Sequence, residues 1–84
     1  MQNNTAVHDA VERDIALGKF LLHSYTKRLL YFEKKFGMKT TVFIRKFEHG
    51  GAGDHEAYFE WFALNEGKKH WKKKMQELLI YADK

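Results

Sequence analysis

An apolar position recurs every three or four residues, without a break, at Val11, Ile15, Leu22, Tyr25, Leu29, Phe32 and Phe36, with Gly18 filling the one place in the series that lacks a side chain. That spacing keeps a single face of an α-helix apolar, whereas a half-buried strand would alternate by two. The chain contains no proline, so nothing forces the pattern to stop early. The spacing predicts one helix from about Val7 to Phe36, about 45 Å long at 1.5 Å per residue. Asn4 or Thr5 is placed to cap its start, leaving residues 1–5 as a flexible tail. Lys34 and Lys35 suit its negative end, and Gly37 is a natural stop.

A second series, Ala57, Trp61, Leu64, Trp71, Met75, Leu78 and Ala82, is interrupted only by Lys68. It predicts a helix from about His55 to Ala82, about 42 Å long, with Asp54 as its cap. Two helices of matched length joined by a compact connector form an antiparallel hairpin. The connector, TTVFIRKF from Thr40 to Phe47, is rich in β-branched and aromatic residues and fits a strand or a helix. No other segment offers a strand partner. A short helix capped by Thr40, with Phe43 and Phe47 on one face and Gly50 at its end, is the preferred reading. The expected fold is therefore all-α: one domain over residues 1–84, an antiparallel hairpin of two long helices with a short helix in the connector.

Eighty-four residues bury only a thin core, roughly 60–65% of the unfolded surface. The aromatic content of 15% nevertheless separates the chain from disordered tails. Several aromatics have no place in the hairpin seam. Phe20 and Tyr31 fall on the back of the first helix. Tyr58, Phe59, Trp61 and Phe62 ring the start of the last one, and a helix apolar all round needs cover all round. Phe20, Tyr31, Phe59 and Phe62 are accordingly the candidate partner-binding residues, with a homodimer of four long helices the simplest way to cover them.

Chemistry-bearing patterns are sparse. Cysteine is absent, which removes disulfides, thiolate catalysis and cysteine-based zinc sites. Of the five histidines, none forms a His-x-x-x-His or Glu-x-x-His pair, and the cluster of His49, Asp54, His55 and Glu56 lies on a glycine-rich loop that holds ligand geometry poorly. That loop lacks the Lys-Ser/Thr of a phosphate-binding loop. The single serine, Ser24, has no nucleophile elbow around it. No metal, cofactor or catalytic residue is expected, and the protein is expected not to be an enzyme. Glu60, beside the seam of the last helix, calls for a cationic partner from the first. No run is long and apolar enough to span a membrane, and the first ten residues lack a signal-peptide pattern; a cytoplasmic location is the expectation.

The net charge of +4 belongs to one segment, Lys68 to Lys74 (KKHWKKK); outside it, ten basic residues face eleven acidic ones. Lys68, Lys69, Lys72, Lys73 and Lys74 form a candidate basic face. It reads either as a solvated helix surface whose long stems cover apolar neighbours or as a phosphate-tracking surface. Nucleic-acid binding is possible but not favoured, because no recognition motif accompanies the charge.

From Leu30 to Leu64 the chain carries Tyr31-Phe32-Glu33-Lys34-Lys35-Phe36-Gly37-Met38, then Phe43 to Glu48, then Gly53-Asp54 ahead of Phe59-Glu60-Trp61. This pattern resembles that of small helical prokaryotic antitoxin-like proteins encoded beside toxin genes. The chain departs from it at Lys39 and Thr41 and is more basic than such proteins usually are. The resemblance implies a helical, non-enzymatic protein whose partner is a cognate toxin.

Overall fold

The computed structural model describes residues 4–83. Three helices follow in order, α1 (Asn4–Phe36), α2 (Thr40–Glu48) and α3 (Glu56–Ala82), with no strand among the described residues. The hairpin of long helices expected from the two apolar series is present, α1 packing against α3, and the whole measures 58 × 21 × 19 Å. The ambiguous connector is a helix. Asn4 and Thr5 already belong to α1, so Thr5 does not cap it and the tail is shorter than expected; residues 1–3 of that tail lie outside the described part.

Each turn is built by a short local code. Gly37 has φ +63°, and the Met38 amide donates to the Glu33 carbonyl at 3.2 Å, the closure that ends a helix on a left-handed glycine. Gly50 repeats the device after α2, with φ +76° and the Gly51 amide donating to the Lys46 carbonyl at 2.8 Å. Two expected caps are corrected. Lys39 rather than Thr40 precedes α2, and it makes no side-chain capping bond. Before α3 the cap is His55, not Asp54: its Nδ1 accepts from the Ala57 amide at 3.0 Å. The His55 ring is placed for this by Phe36 and Tyr58, whose centroids lie 5.5 and 5.3 Å away.

The core is lopsided. At the connector end Trp61, fully buried, lies flat on Phe43, their centroids 3.9 Å apart and their planes 1° from parallel. Phe32 and Phe36 stack beside it at 5.7 and 5.6 Å, and Leu29 completes the cluster. Each aromatic pair adds about 0.5–1.5 kcal/mol beyond simple burial. α2 supplies a third layer there. Toward the other end α1 and α3 run on as a pair, and Met75 is the one buried large side chain of that half among the described residues.

The pair closes through glycines. A β-carbon at Gly18 would run into the Met75 thioether and come within 3.2 Å of Trp71, while one at Gly67 would meet the Tyr25 ring at 2.7 Å. Each helix thus offers a gap to a large side chain of the other. Glu60 takes the partner its position called for, Arg28 of α1. Both side chains are about half exposed, so this is a rim pair worth about 0–1 kcal/mol rather than a buried one.

Candidate interaction surface

The most elaborate polar arrangement joins all three helices. The Trp61 indole N–H donates to the Thr40 hydroxyl at 3.1 Å. Thr40 in turn presents its amide to the Glu33 carboxylate at 2.9 Å, and its hydroxyl donates to the same carboxylate. Glu33 therefore caps α2 from a different helix, meeting the free amides and the positive end of its dipole. Partial burial raises the Glu33 pKa, but the two Thr40 bonds and the charges of Lys39 and Lys68 outweigh it and hold the carboxyl below its ordinary value. A polar cleft of about 260 Å³ opens alongside, with Thr26, Thr41 and Asn65 among its walls. The network locks α2 onto the hairpin.

The histidine-bearing loop is occupied with backbone bonding: His49 Nδ1 lies 2.7 Å from the Arg45 carbonyl, and His55 is the cap already described. A group that spacing did not single out, His8, Asp9 and Glu12, brings three ligand atoms within 4.8 Å of one another. All three side chains are exposed, and the His8 contacts of 3.9 and 3.8 Å are those of loose surface pairs. The i, i+4 spacing of His8 and Glu12 is the signal that could have found it.

The candidate partner-binding residues divide. Phe20 is 66% exposed, Phe59 59% and Tyr31 58%. Phe62 is half-buried, because Phe47 of α2 stacks on it at 4.8 Å. Phe47 also meets the edge of Phe59 at 5.7 Å, so these three rings form an apolar rim beside α2. Spacing missed further exposed apolar side chains: Val7, Leu17 and Leu30 on α1, and Leu79, Ile80 and Tyr81 at the end of α3. Ile80 and Tyr81 fall outside the seam and were legible as such.

Along the basic face, Lys69, Lys72 and Lys73 are exposed while Lys68 and Lys74 are half-buried. Lys74 lies over the Trp71 ring, 4.8 Å from its centroid, and Lys69 reaches Glu66 at 3.5 Å. Trp71 is half-buried in the seam, a core position. Among the described residues no helix is long and apolar enough to cross a membrane. Comparison with known protein families, with curated proteins and with solved structures gives no match.

Proposed function

We propose that this protein is a non-enzymatic protein-interaction module that self-associates and acts as the antitoxin-like component of a toxin–antitoxin pair. The observation that carries the reading is the imbalance between core and surface. Among the described residues five hydrophobic ones are buried, while nine large ones stand exposed, six of them by more than half: Phe20, Ile80, Phe59, Tyr31, Tyr81 and Leu30. Where such side chains adjoin, as Phe59 does with Phe47 and Phe62, a contiguous apolar patch in water marks a binding surface. The family pattern in Leu30 to Leu64 supplies the biological setting. The rim of Phe59, Phe47 and Phe62 is the surface assigned to the toxin, because aromatic anchors next to a rigid element dominate interface energetics.

Co-expression with the protein encoded next to it, followed by capture on the tagged chain, tests the assignment. The expected result is relief of toxicity and a stable complex, with Phe59→Ala weakening capture. A neighbour that is harmless and is not captured sinks it. The solvent-facing lysines support a second reading, a small nucleic-acid-binding protein. Duplex binding through these side chains loses affinity with a log–log salt slope of about −0.9 per phosphate contact, so absence of any mobility shift at low salt removes it.

A further inference from the structure

The face of α3 opposite its seam has an order of its own. At spacings of three and four it reads Phe59, Phe62, Glu66, Lys69, Lys73, Glu77 and Ile80, about 32 Å from end to end at 1.5 Å per residue. All of these side chains are exposed except Phe62, which is half-buried. At the connector end Phe47 of α2 joins them, stacking on Phe62 at 4.8 Å and meeting the edge of Phe59 at 5.7 Å. The stripe is thus apolar at one end, basic in the middle, and apolar again at Ile80.

The charge in the middle is not balanced within the chain. Five lysines lie between Glu66 and Glu77. Two of them are engaged: Lys68 is half-buried with its charge acting on Glu33, and Lys74 lies over the Trp71 ring. Lys69 reaches Glu66 at 3.5 Å, an exposed pair and so a weak one. Lys72 and Lys73 form no ion pair among the described residues. Their complement is a carboxylate-bearing surface from outside. Glu66 and Glu77 confine the positive stretch to about 10 Å of helix, roughly two turns. A duplex laid there would bring its phosphates against both glutamates and offer Phe59 and Ile80 no apolar counterpart. A helix laid along α3, with aliphatic side chains at its ends and carboxylates between them, matches every part of the stripe.

We infer that the outer face of α3 docks an amphipathic helix of a partner protein, acidic over its middle two turns and apolar at both ends. Phe47, Phe59 and Phe62 hold one end of that helix and Ile80 the other, while Lys69, Lys72 and Lys73 meet its carboxylates. This rests on the reading of the chain as a protein-interaction module and extends the aromatic rim into a full docking surface. The apolar ends supply most of the affinity, and the lysines fix the register and exclude partners of the wrong charge.

A labelled helical peptide of about 22 residues, long enough to span the stripe, tests this by fluorescence anisotropy. It carries leucines in its first and last turns and glutamates on the same face between them. It is expected to bind the full chain, and a peptide of the same composition with the glutamates at the ends and the leucines in the middle to bind at least about tenfold more weakly. Lys69→Glu with Lys73→Glu, and separately Ile80→Ser, are each expected to weaken binding of the first peptide at least about tenfold. All three positions are exposed, so helical circular dichroism is expected to stay unchanged. Absence of binding by the first peptide, equal binding of the two, or binding undiminished by the paired glutamates overturns the proposal. So does a chain that ignores the peptide yet binds duplex DNA or anionic vesicles at low salt. A toxin captured equally well by the Lys69→Glu, Lys73→Glu chain overturns this face and leaves the toxin reading standing. Ordered peptide binding beside a harmless, uncaptured neighbour supports the face and removes the toxin.

Discussion

Glu33 holds two backbone amides at once: its own carbonyl closes the turn through Met38, and its carboxylate takes the Thr40 amide, with the Thr40 hydroxyl beside it. A folded-state pKa below the ordinary one means that the unfolded chain takes up the proton more readily. The stabilisation is therefore complete above about pH 4–4.5, the unfolded glutamate value, and is lost as pH falls through the lower folded value. Thermal melts from pH 6 to pH 3 are expected to show a smaller loss of stability for Glu33→Gln than for wild type, with the variant less stable at pH 6 by about 0.5–2 kcal/mol, the usual worth of a cap. Thr40 is the next link. Thr40→Val leaves the buried Trp61 N–H without an acceptor and is expected to cost about 1–3 kcal/mol in urea unfolding. Thr40→Ser keeps the hydroxyl, and recovery of most of that loss is the check that the bond rather than the packing is responsible.

At the scale of elements, α1 and α3 were legible because a three-four series over many turns has one reading, and the observed ends at Phe36 and Ala82 coincide with the last members of each series. α2 was ambiguous for a physical reason. Its β-branched residues carry a strand preference, and what favours the helix, a carboxylate seven residues upstream on another element, is a tertiary bond that local spacing does not display. The same cause moved the α3 cap. Asp54 is the better capping residue by type, but the rings of Phe36 and Tyr58 hold His55 in position. Among candidate site residues, the exposure of Phe20, Tyr31 and Phe59 followed from their place off the seam. Helix pairing also depends on the glycine gaps. Gly67→Ala gains about 1 kcal/mol of helix propensity, but the new methyl group displaces the Tyr25 ring, an overpacking cost of about 1–3 kcal/mol. The expected outcome is net destabilisation by up to about 2 kcal/mol, read as a lowered denaturation midpoint.

For the whole molecule, the separation of core from interaction surface predicts that stability and assembly respond to different substitutions. Phe20→Ala removes a side chain that its own chain leaves exposed, so its unfolding free energy measured on dilute monomer is expected to change by less than about 0.5 kcal/mol. The same substitution is expected to weaken the dimer, which equilibrium sedimentation reads directly. Equal losses in both measurements would mean that Phe20 belongs to the fold instead.

The lopsided core also gives the chain two optical probes. One tryptophan, Trp61, is sealed in the aromatic stack under α2; the other, Trp71, sits half-buried in the two-helix half with a lysine over its ring. Their emission should differ in colour, the sealed indole bluer than the wetter one. Trp71→Phe then leaves a chain that reports only the layered end, and Trp61→Phe one that reports only the arm. Segments with fewer buried contacts open at lower free energy, so in a denaturant titration the Trp71 signal is expected to shift first, reporting the order in which the two ends of the hairpin come apart.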